Sequence, residues 1–370
     1  MPPEVRDTWL EASQECWLNP SAPYLQASSV RVRLEAARER LAGILGCYTE
    51  EVVFNSGATE GNNAVFSYLN RACPEGQRVL VGAVEHPSVR EPALRLPPDK
   101  VEWLEVGSDG VSDLVAFGKR LESGEVFAVS IMAANNETGV LQPWQEIQDI
   151  CRAAGVVYHC DAVQWLGKLP ADGLGGCDFA TGCAHKFGGP KGCGFLKIPG
   201  ALQEFSFLAG GEQEAGHRAG TENYPSVAAM LEALECCRQC RSTSRDIFEA
   251  TILEMIPGTA VVGRGVPRLW NTSMLILPGF ANTRWVNRLS RRDYLVSTGS
   301  ACATAKEGSS HVLAAMGVGS DEASRAVRVS CGWSSTKSHW VALAEAFTAV
   351  HAELVGEKIG PDVGITVVDP

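Results

Sequence analysis

Short apolar runs alternate with longer amphipathic segments along the first part of the chain, and this alternation restricts the fold more than any other feature. Runs of strand length occur at Glu51–Phe54, Arg78–Val81, Val126–Met132, Val156–His159 and Phe179–Gly182. Segments with helical spacing occur at Val30–Gly46, Thr59–Leu69 and Glu146–Ala154. Polar residues follow several of the apolar runs directly. The pattern therefore predicts an α/β domain with its functional site at the strand ends.

The pattern changes after a helical segment at 227–241. The later segments are Ile247–Met255, Leu269–Leu277, Trp285–Leu289, Ala326–Val329 and Trp340–His351. They suggest a smaller α+β domain, and a chain of 370 residues has room for one large and one small domain. We predict a large domain over 16–245 and a small domain formed by 1–15 and 246–370.

Composition excludes several classes of function. The net charge is −11, and no run of basic residues is long enough to bind a nucleic-acid backbone. No apolar stretch approaches the roughly 18 residues of a membrane span, and Met1–Val5 does not resemble a secretory leader. Thirteen cysteines in such a chain indicate reduced thiols and a cytoplasmic location. We predict no metal site, because the group Cys236, Cys237 and Cys240 lacks a second cluster to complete four ligands.

Two charged residues follow neighbouring apolar runs. Lys186 lies in a glycine-rich turn, and a lysine that forms a Schiff base needs such an uncrowded position. Taken alone, a lysine in a glycine-rich loop is more often a surface residue. Asp161 precedes it by 25 positions and could face the ring nitrogen of a pyridine cofactor, or could simply cap the next helix.

Two further segments suggest an anion site and a nucleophile. Gly57-Ala58-Thr59 follows a strand and opens a helix, so its backbone N–H groups could bind a phosphate or merely form a helix cap. Cys302 lies among small residues in Ser300-Ala301-Cys302-Ala303, where its sulfur would be accessible. The plain alternative for one cysteine among thirteen is a buried packing residue.

The order of the motifs is more specific than any one of them. Seven segments, in this order, resemble the NifS-like cysteine desulfurases: Phe54–Asn63, Glu85–Val89, Asn135–Gly139, His159–Gln164, His185–Gly192, Arg218–Asn223 and Gly299–Cys302. The resemblance runs from about Pro3 to Gly332. Such a set in order makes coincidence negligible.

The resemblance implies a fold-type I transferase dependent on pyridoxal 5'-phosphate, in the class V aminotransferase family. It implies a homodimer whose large domain has a mostly parallel seven-stranded sheet, with a smaller α+β C-terminal domain. Lys186 would carry the cofactor, and His86 would stack on its ring. The residues implied to hold the cofactor are Gly57, Ala58, Thr59, His86, Asn136, Asp161, Gln164, Cys183, His185 and Lys186, with Thr221 reaching the partner subunit's phosphate.

The resemblance also implies a reaction. Arg328, with Asn136, would bind the substrate carboxylate, since a guanidinium suits that group. Cys302 would take sulfur from L-cysteine, leave L-alanine, and pass the sulfur from a persulfide to an acceptor protein or thiol. Two alternatives stay open: a pyridoxal-phosphate C–S lyase acting by β-elimination, and a non-catalytic partner in sulfur assembly.

Some positions depart from the family pattern. Cys183 replaces a usual serine, and a thiol is a weaker hydrogen-bond donor to phosphate. Glu212, Ala215 and Tyr24 replace a usual glycine, arginine and histidine. The family's first strand would precede the segment that starts at Met1, which predicts a more open substrate pocket. These departures indicate a divergent member of the family.

Overall fold

The computed structural model describes residues 1–202, 205–237, 240–299 and 310–359. The helices are α1 (Pro3–Glu15), α2 (Leu25–Leu45), α3 (Ala58–Ala72), α4 (Pro87–Ala93), α5 (Leu114–Leu121), α6 (Trp144–Ala154), α7 (Tyr224–Cys236), α8 (Thr243–Met255), α9 (Asn282–Ser290), α10 (His311–Ala315), α11 (Ser320–Ala323) and α12 (Lys337–Ile359). The strands are β1 (Val52–Asn55), β2 (Arg78–Gly82), β3 (Val101–Leu104), β4 (Val126–Ser130), β5 (Val157–Asp161), β6 (Phe179–Cys183), β7 (Gly194–Lys197), β8 (Ala260–Val261), β9 (Thr272–Ile276) and β10 (Ala326–Ser330).

The described residues form a seven-stranded sheet in the order β1-β7-β6-β5-β4-β2-β3. Strands β2 to β6 pair in parallel with their neighbours, whereas β7 runs antiparallel to both β1 and β6. The prediction of a mostly parallel seven-stranded sheet in an α/β domain is confirmed. Because the parallel strands share a direction, their carboxyl ends lie along one edge, where ligands bind in such folds.

Helices cover both faces of this sheet. One apolar core contains side chains from α2, α6 and α7 together with β4 and β5, and a second core on the opposite face contains side chains from α3 and α4. Strand residues are accordingly buried on both sides, as in the all-buried strand Val52–Asn55. This three-layer packing holds the strand ends rigidly in place.

Local signals explain several helix ends. Helix α2 ends at Gly46, whose φ of 76° is a left-handed cap conformation that favours glycine. Helix α6 ends at Gly155 in the same way, with a φ of 66°. Helix α3 begins at Gly57, whose φ of 144° also favours glycine.

The second part of the chain forms a second, smaller sheet with a core of its own. Strands β8, β9 and β10 make an antiparallel sheet, and α8, α9 and α12 pack on it around Phe248, Trp285 and Phe347. The boundary near 245 stays a prediction. The packing of α1 does not favour the placement of 1–15 in the small domain, because Val5 joins the large-domain core and Trp9 Nε1 donates to Ser226 Oγ on α7 at 3.3 Å.

Candidate active site

The predicted lysine and aspartate lie at the ends of neighbouring parallel strands. Asp161 is the last residue of β5, and its exposed fraction is 5%. Strand β6 ends at Cys183, and a short 3-10 helix, Ala184–Lys186, then carries His185 and Lys186 into an exposed position. The register of β5 and β6 therefore brings a buried carboxylate and an accessible amine to the same sheet edge.

The Asp161 carboxyl group is held by two hydrogen bonds. Oδ2 accepts from Asn62 Nδ2 at 3.0 Å, and Oδ1 accepts from the Val163 backbone N–H at 3.0 Å. Burial raises the pKa of Asp161, while the nearby charges of His86 and Lys186 and these hydrogen bonds oppose that rise. The three side chains therefore act on one another electrostatically within a single site.

His86 lies at the start of α4 in a fixed orientation. Its Nδ1 accepts the Ser88 backbone N–H at 3.0 Å, which caps the helix, and contacts Ser88 Oγ at 2.8 Å. Burial lowers the pKa of His86, with Asp161 opposing the effect and Lys186 adding to it. The imidazole is therefore mainly neutral at pH 7.

The predicted phosphate turn lies at the amino terminus of α3, which is 15 residues long. Ala58 N–H bonds to the Cys183 sulfur, and a β-carbon on Gly57 would lie 3.9 Å from Cys183 Cβ. Burial raises the pKa of Cys183 to about 11, so the group is a neutral thiol. Thr59 is exposed on the first turn, so the turn offers backbone N–H groups and a hydroxyl to an anion.

The predicted substrate residues meet between strand β10 and the loop that follows β4. Arg328 Nη1, on β10, donates to the Asn136 carbonyl at 3.0 Å and to the Gly299 carbonyl at 3.5 Å. Asn136 Oδ1 is buried, and within the described residues it has no hydrogen-bond partner. Gln164 is half-buried, three positions after Asp161. The arrangement leaves an amide oxygen that a bound ligand could satisfy.

Cys302 lies outside the described residues, in the stretch 300–309. Gly299, before this stretch, and Ser310, after it, are described. Ser310 Oγ donates to Glu137 Oε2 at 2.6 Å, and a β-carbon on Gly299 would lie 3.4 Å from the same oxygen. His311 Nε2, beside Ser310, lies 2.8 Å from the Glu85 carbonyl, next to His86. Gly299 and Ser310, the described residues on either side of 300–309, therefore lie beside the residues of the candidate site.

Thr221 lies in the loop between β7 and α7. It is exposed and, with Ser56 and Arg218, lines a cavity of about 200 Å³ beside the phosphate turn. The structure thus places Thr221 near the start of α3.

Sequence reasoning assigned no role to four residues that support this site: Asn62, Ser88, Glu137 and Lys168. The first three lie inside motifs that were recognised, but a polar side chain in such a string gives no sign of its bonding partner. Lys168 is 5% exposed and donates to the Lys186 carbonyl at 3.3 Å. In the sequence, Lys168 is marked just by the glycine that precedes it. The structure explains that glycine, because a β-carbon on Gly167 would lie 2.4 Å from Phe187 Cβ.

The described ranges contain neither a candidate metal site nor a candidate membrane span. No group of three or more His, Cys, Asp or Glu side chains is placed to hold a metal ion within residues 1–202, 205–237, 240–299 and 310–359. No helix in the same part of the chain combines the length and hydropathy needed to cross a bilayer.

The donor set fits pyridoxal 5'-phosphate on structural grounds. It combines a helix amino terminus for the phosphate, an accessible lysine for the aldehyde, and a buried carboxylate for the ring nitrogen. The buried oxygen of Asn136, which has no hydrogen-bond partner among the described side chains and backbone groups, supplies one further polar contact. Fold and site together define a fold-type I α/β transferase.

Comparison with known proteins gives the family. The model of the family described as "Aminotransferase class-V" matches residues 1–339, and the chain belongs to that family. A protein of Sinorhizobium fredii (strain NBRC 101917 / NGR234), named cysteine desulfurase, is 35% identical over 339 residues, which cover 88% of this chain and 87% of that protein. The predicted family membership is confirmed.

Solved structures give the same result. A NifS-like protein superposes with a TM-score of 0.84 at 27% identity, covering 95% of this chain and 96% of the other. A structure described as SspA in complex with cysteine superposes with a TM-score of 0.77 at 27% identity, covering 89% of this chain and 95% of the other.

Proposed function

We propose that this protein is a pyridoxal-phosphate-dependent cysteine desulfurase that converts L-cysteine to L-alanine and carries the sulfur as a persulfide on Cys302. The observation that carries the proposal is the convergence of Lys186, buried Asp161 and both flanks of segment 300–309 on one sheet edge. The names of the relatives support the substrate, since cysteine desulfurases and a cysteine complex are among them.

The residues that would hold the cofactor follow from the site. Lys186 would bind its aldehyde, Asp161 would pair with its ring nitrogen, and His86 would stack on its ring. Gly57, Ala58, Thr59 and His185 would bind the phosphate, with Cys183 behind the turn, and Asn136 and Gln164 would contact the ring oxygen. When bound, the cofactor withdraws electrons from the substrate carbon.

The substrate would be oriented by its carboxylate. Arg328 already donates to the Asn136 carbonyl, so its guanidinium is fixed beside the Asn136 side chain. The amine of Lys186, once released from the cofactor, would accept the proton from the substrate α-carbon. His86, mainly neutral at pH 7, would present its Nε2 to the bound substrate.

Sulfur transfer needs a thiolate within reach. Cys302 follows Gly299 by three residues, and a chain of that length extends about 10 Å at most. The Cys302 sulfur would attack the substrate sulfur, and the electron pair of the broken carbon–sulfur bond would stay on carbon, which gains a proton as alanine forms. An acceptor protein or thiol would then take the outer sulfur.

We further propose a cytoplasmic homodimer in which Thr221 reaches the partner subunit's cofactor phosphate. The exposure of Thr221 beside the phosphate turn supports this arrangement. Eleven of the described cysteines, Cys240 aside, are free thiols, and they support a reducing compartment.

The test is product analysis with L-cysteine on the reconstituted protein. We expect alanine in amounts equal to the sulfide released under reducing conditions, and a persulfide on the Cys302 peptide without reductant. Cys302→Ala should abolish the persulfide and most alanine formation, whereas Cys236→Ala, which removes an exposed thiol, should retain both. Pyruvate and ammonia instead of alanine would identify a β-eliminating lyase and reject the proposal.

A further inference from the structure

A single buried amide joins the two groups that would flank the cofactor ring. Asn62, on α3, has an exposed fraction of 0%. Its Nδ2 donates to Asp161 Oδ2 at 3.0 Å and to Ser88 Oγ at 2.9 Å, and its Oδ1 accepts from Thr181 Oγ1 at 2.8 Å. A carboxylate only accepts hydrogen bonds, so the nitrogen side of the amide must face Asp161. The orientation of Asn62 is thus determined by its partners.

The second branch of this network reaches His86. Because Ser88 Oγ accepts from Asn62, its own hydrogen is directed to His86 Nδ1, 2.8 Å away. The Ser88 backbone N–H points to the same nitrogen. Nδ1 is therefore an acceptor, and the neutral ring carries its proton on Nε2.

We propose that Asn62 is a positioning residue that sets the Asp161 carboxylate and, through Ser88, the His86 imidazole in one fixed relation for the cofactor ring. The inference rests on the proposed function, which assigns the cofactor roles of Asp161 and His86. Asn62 itself would touch neither the cofactor nor the substrate.

The choice of an amide has a physical reason. Without Asn62, the described hydrogen bonds to the Asp161 carboxyl group reduce to the one from Val163 N–H. A lysine or arginine in its place would neutralise the carboxylate and compete with the cofactor's ring nitrogen for it. A neutral amide holds the carboxylate in place and leaves its charge for the ring.

The experiment measures how tightly the protein binds pyridoxal 5'-phosphate, without substrate. Asn62→Ala should weaken binding about ten- to a hundredfold, the range of a lost hydrogen bond to a charged group. Asn63→Ala is the matched control, because Asn63 is the next residue of α3, is exposed, and donates only to the Thr59 carbonyl among the described bonds. It should change the affinity less than twofold.

A double-mutant cycle separates positioning from packing. In an Asp161→Asn background, Asn62→Ala should cost less than about threefold, because its effect passes through the carboxylate. An equal loss in both backgrounds would mean that Asn62 only fills space, and the proposal would be wrong. Nitrogen-15 chemical shifts of the His86 ring provide a second measurement, because they report which ring nitrogen carries the proton. A proton on Nδ1 would also overturn the proposal.

Thr181→Val is the alternative variant to test if the Asn62→Ala protein does not fold. It removes the hydrogen bond that orients the amide and should weaken cofactor binding about two- to tenfold. Unchanged affinity would contradict the proposal. A protein that binds the cofactor normally but forms no alanine from cysteine would reject the proposed function and leave this inference standing.

Discussion

The carboxylate of Glu214 holds the loop that carries Thr221, and its replacement should measurably destabilise the protein. Its side chain is 1% exposed. Oε2 accepts from Arg38 Nη1 at 2.6 Å and from the Phe54 backbone N–H at 2.7 Å, and Oε1 accepts from Arg38 Nη2 at 3.0 Å. Glu214→Gln keeps the shape of the side chain, removes its charge, and places an amide N–H₂ opposite existing donors.

The expected loss follows from this geometry. Breaking a buried ion pair at one partner costs about 3–5 kcal/mol, and glutamine retains one acceptor, so we expect about 3 kcal/mol. A chain of this length has an unfolding entropy of about 0.8 kcal/mol/K, so Tm should fall by about 4 °C. Calorimetry of the parent and the variant measures the shift.

Two further variants make the test decisive. Glu35→Gln is the control, since Glu35 also pairs with Arg38, at 3.1 Å, but its side chain is 53% exposed, and it should cost less than about 1 kcal/mol. Arg38→Met combined with Glu214→Gln should show a coupling of about 2 kcal/mol relative to the single variants. Additive losses would refute the reasoning that the buried pair supports the loop.

Ala215 has a φ of 54°, so Ala215→Gly should raise the free energy of unfolding by about 0.5–1 kcal/mol in denaturant titration. Ala153→Gly, at an exposed position of helix α6, should instead lower it by about 1 kcal/mol, and equal effects of the two substitutions would argue against backbone strain at Ala215. Cys183→Ser should strengthen cofactor binding about two- to tenfold in a binding titration, because a hydroxyl is a better partner for phosphate, and weaker binding would contradict this. Burial lowers the pKa of Lys168 to about 8 from 10.5. Between pH 8 and pH 10.5 the unfolded chain therefore binds more protons than the folded one, so the free energy of unfolding should rise by about 3 kcal/mol across this range relative to Lys168→Met. If the free energy of unfolding of the parent and of Lys168→Met changed in parallel with pH, the lowered pKa of Lys168 would be wrong.

The sequence predicts the sheet well where apolar runs are flanked by turn residues. The apolar run Val156–His159 was expected to form a strand that ends at Asp161, and β5 does end there, where its ladder with β6 reaches Thr181. Helix α2 was expected from Val30 but begins at Leu25, where Tyr24 makes no side-chain cap that the sequence could signal. Boundaries thus depend on neighbouring strands and on packing that no local pattern contains.

The sequence allowed the residues of the candidate site to be proposed, but not the hydrogen bonds that orient their side chains. Lys186 and Asp161 follow apolar runs, and the resemblance supplied their order. The bonds of Asn62 join residues 26, 99 and 119 positions apart, so only the folded chain brings them together. Chemistry at strand ends is local in sequence, whereas the hydrogen bonds that orient it are not.

The antiparallel return of β7 between β1 and β6 has a consequence for synthesis on the ribosome. Val52 of β1 pairs with Lys197 of β7, 145 residues later in the chain. At roughly 5–20 residues per second, the nascent protein would wait about 7–30 s before its first strand found a partner. For that time an apolar strand stays available to other chains, and the phosphate turn that follows it cannot yet meet the lysine turn that follows β6.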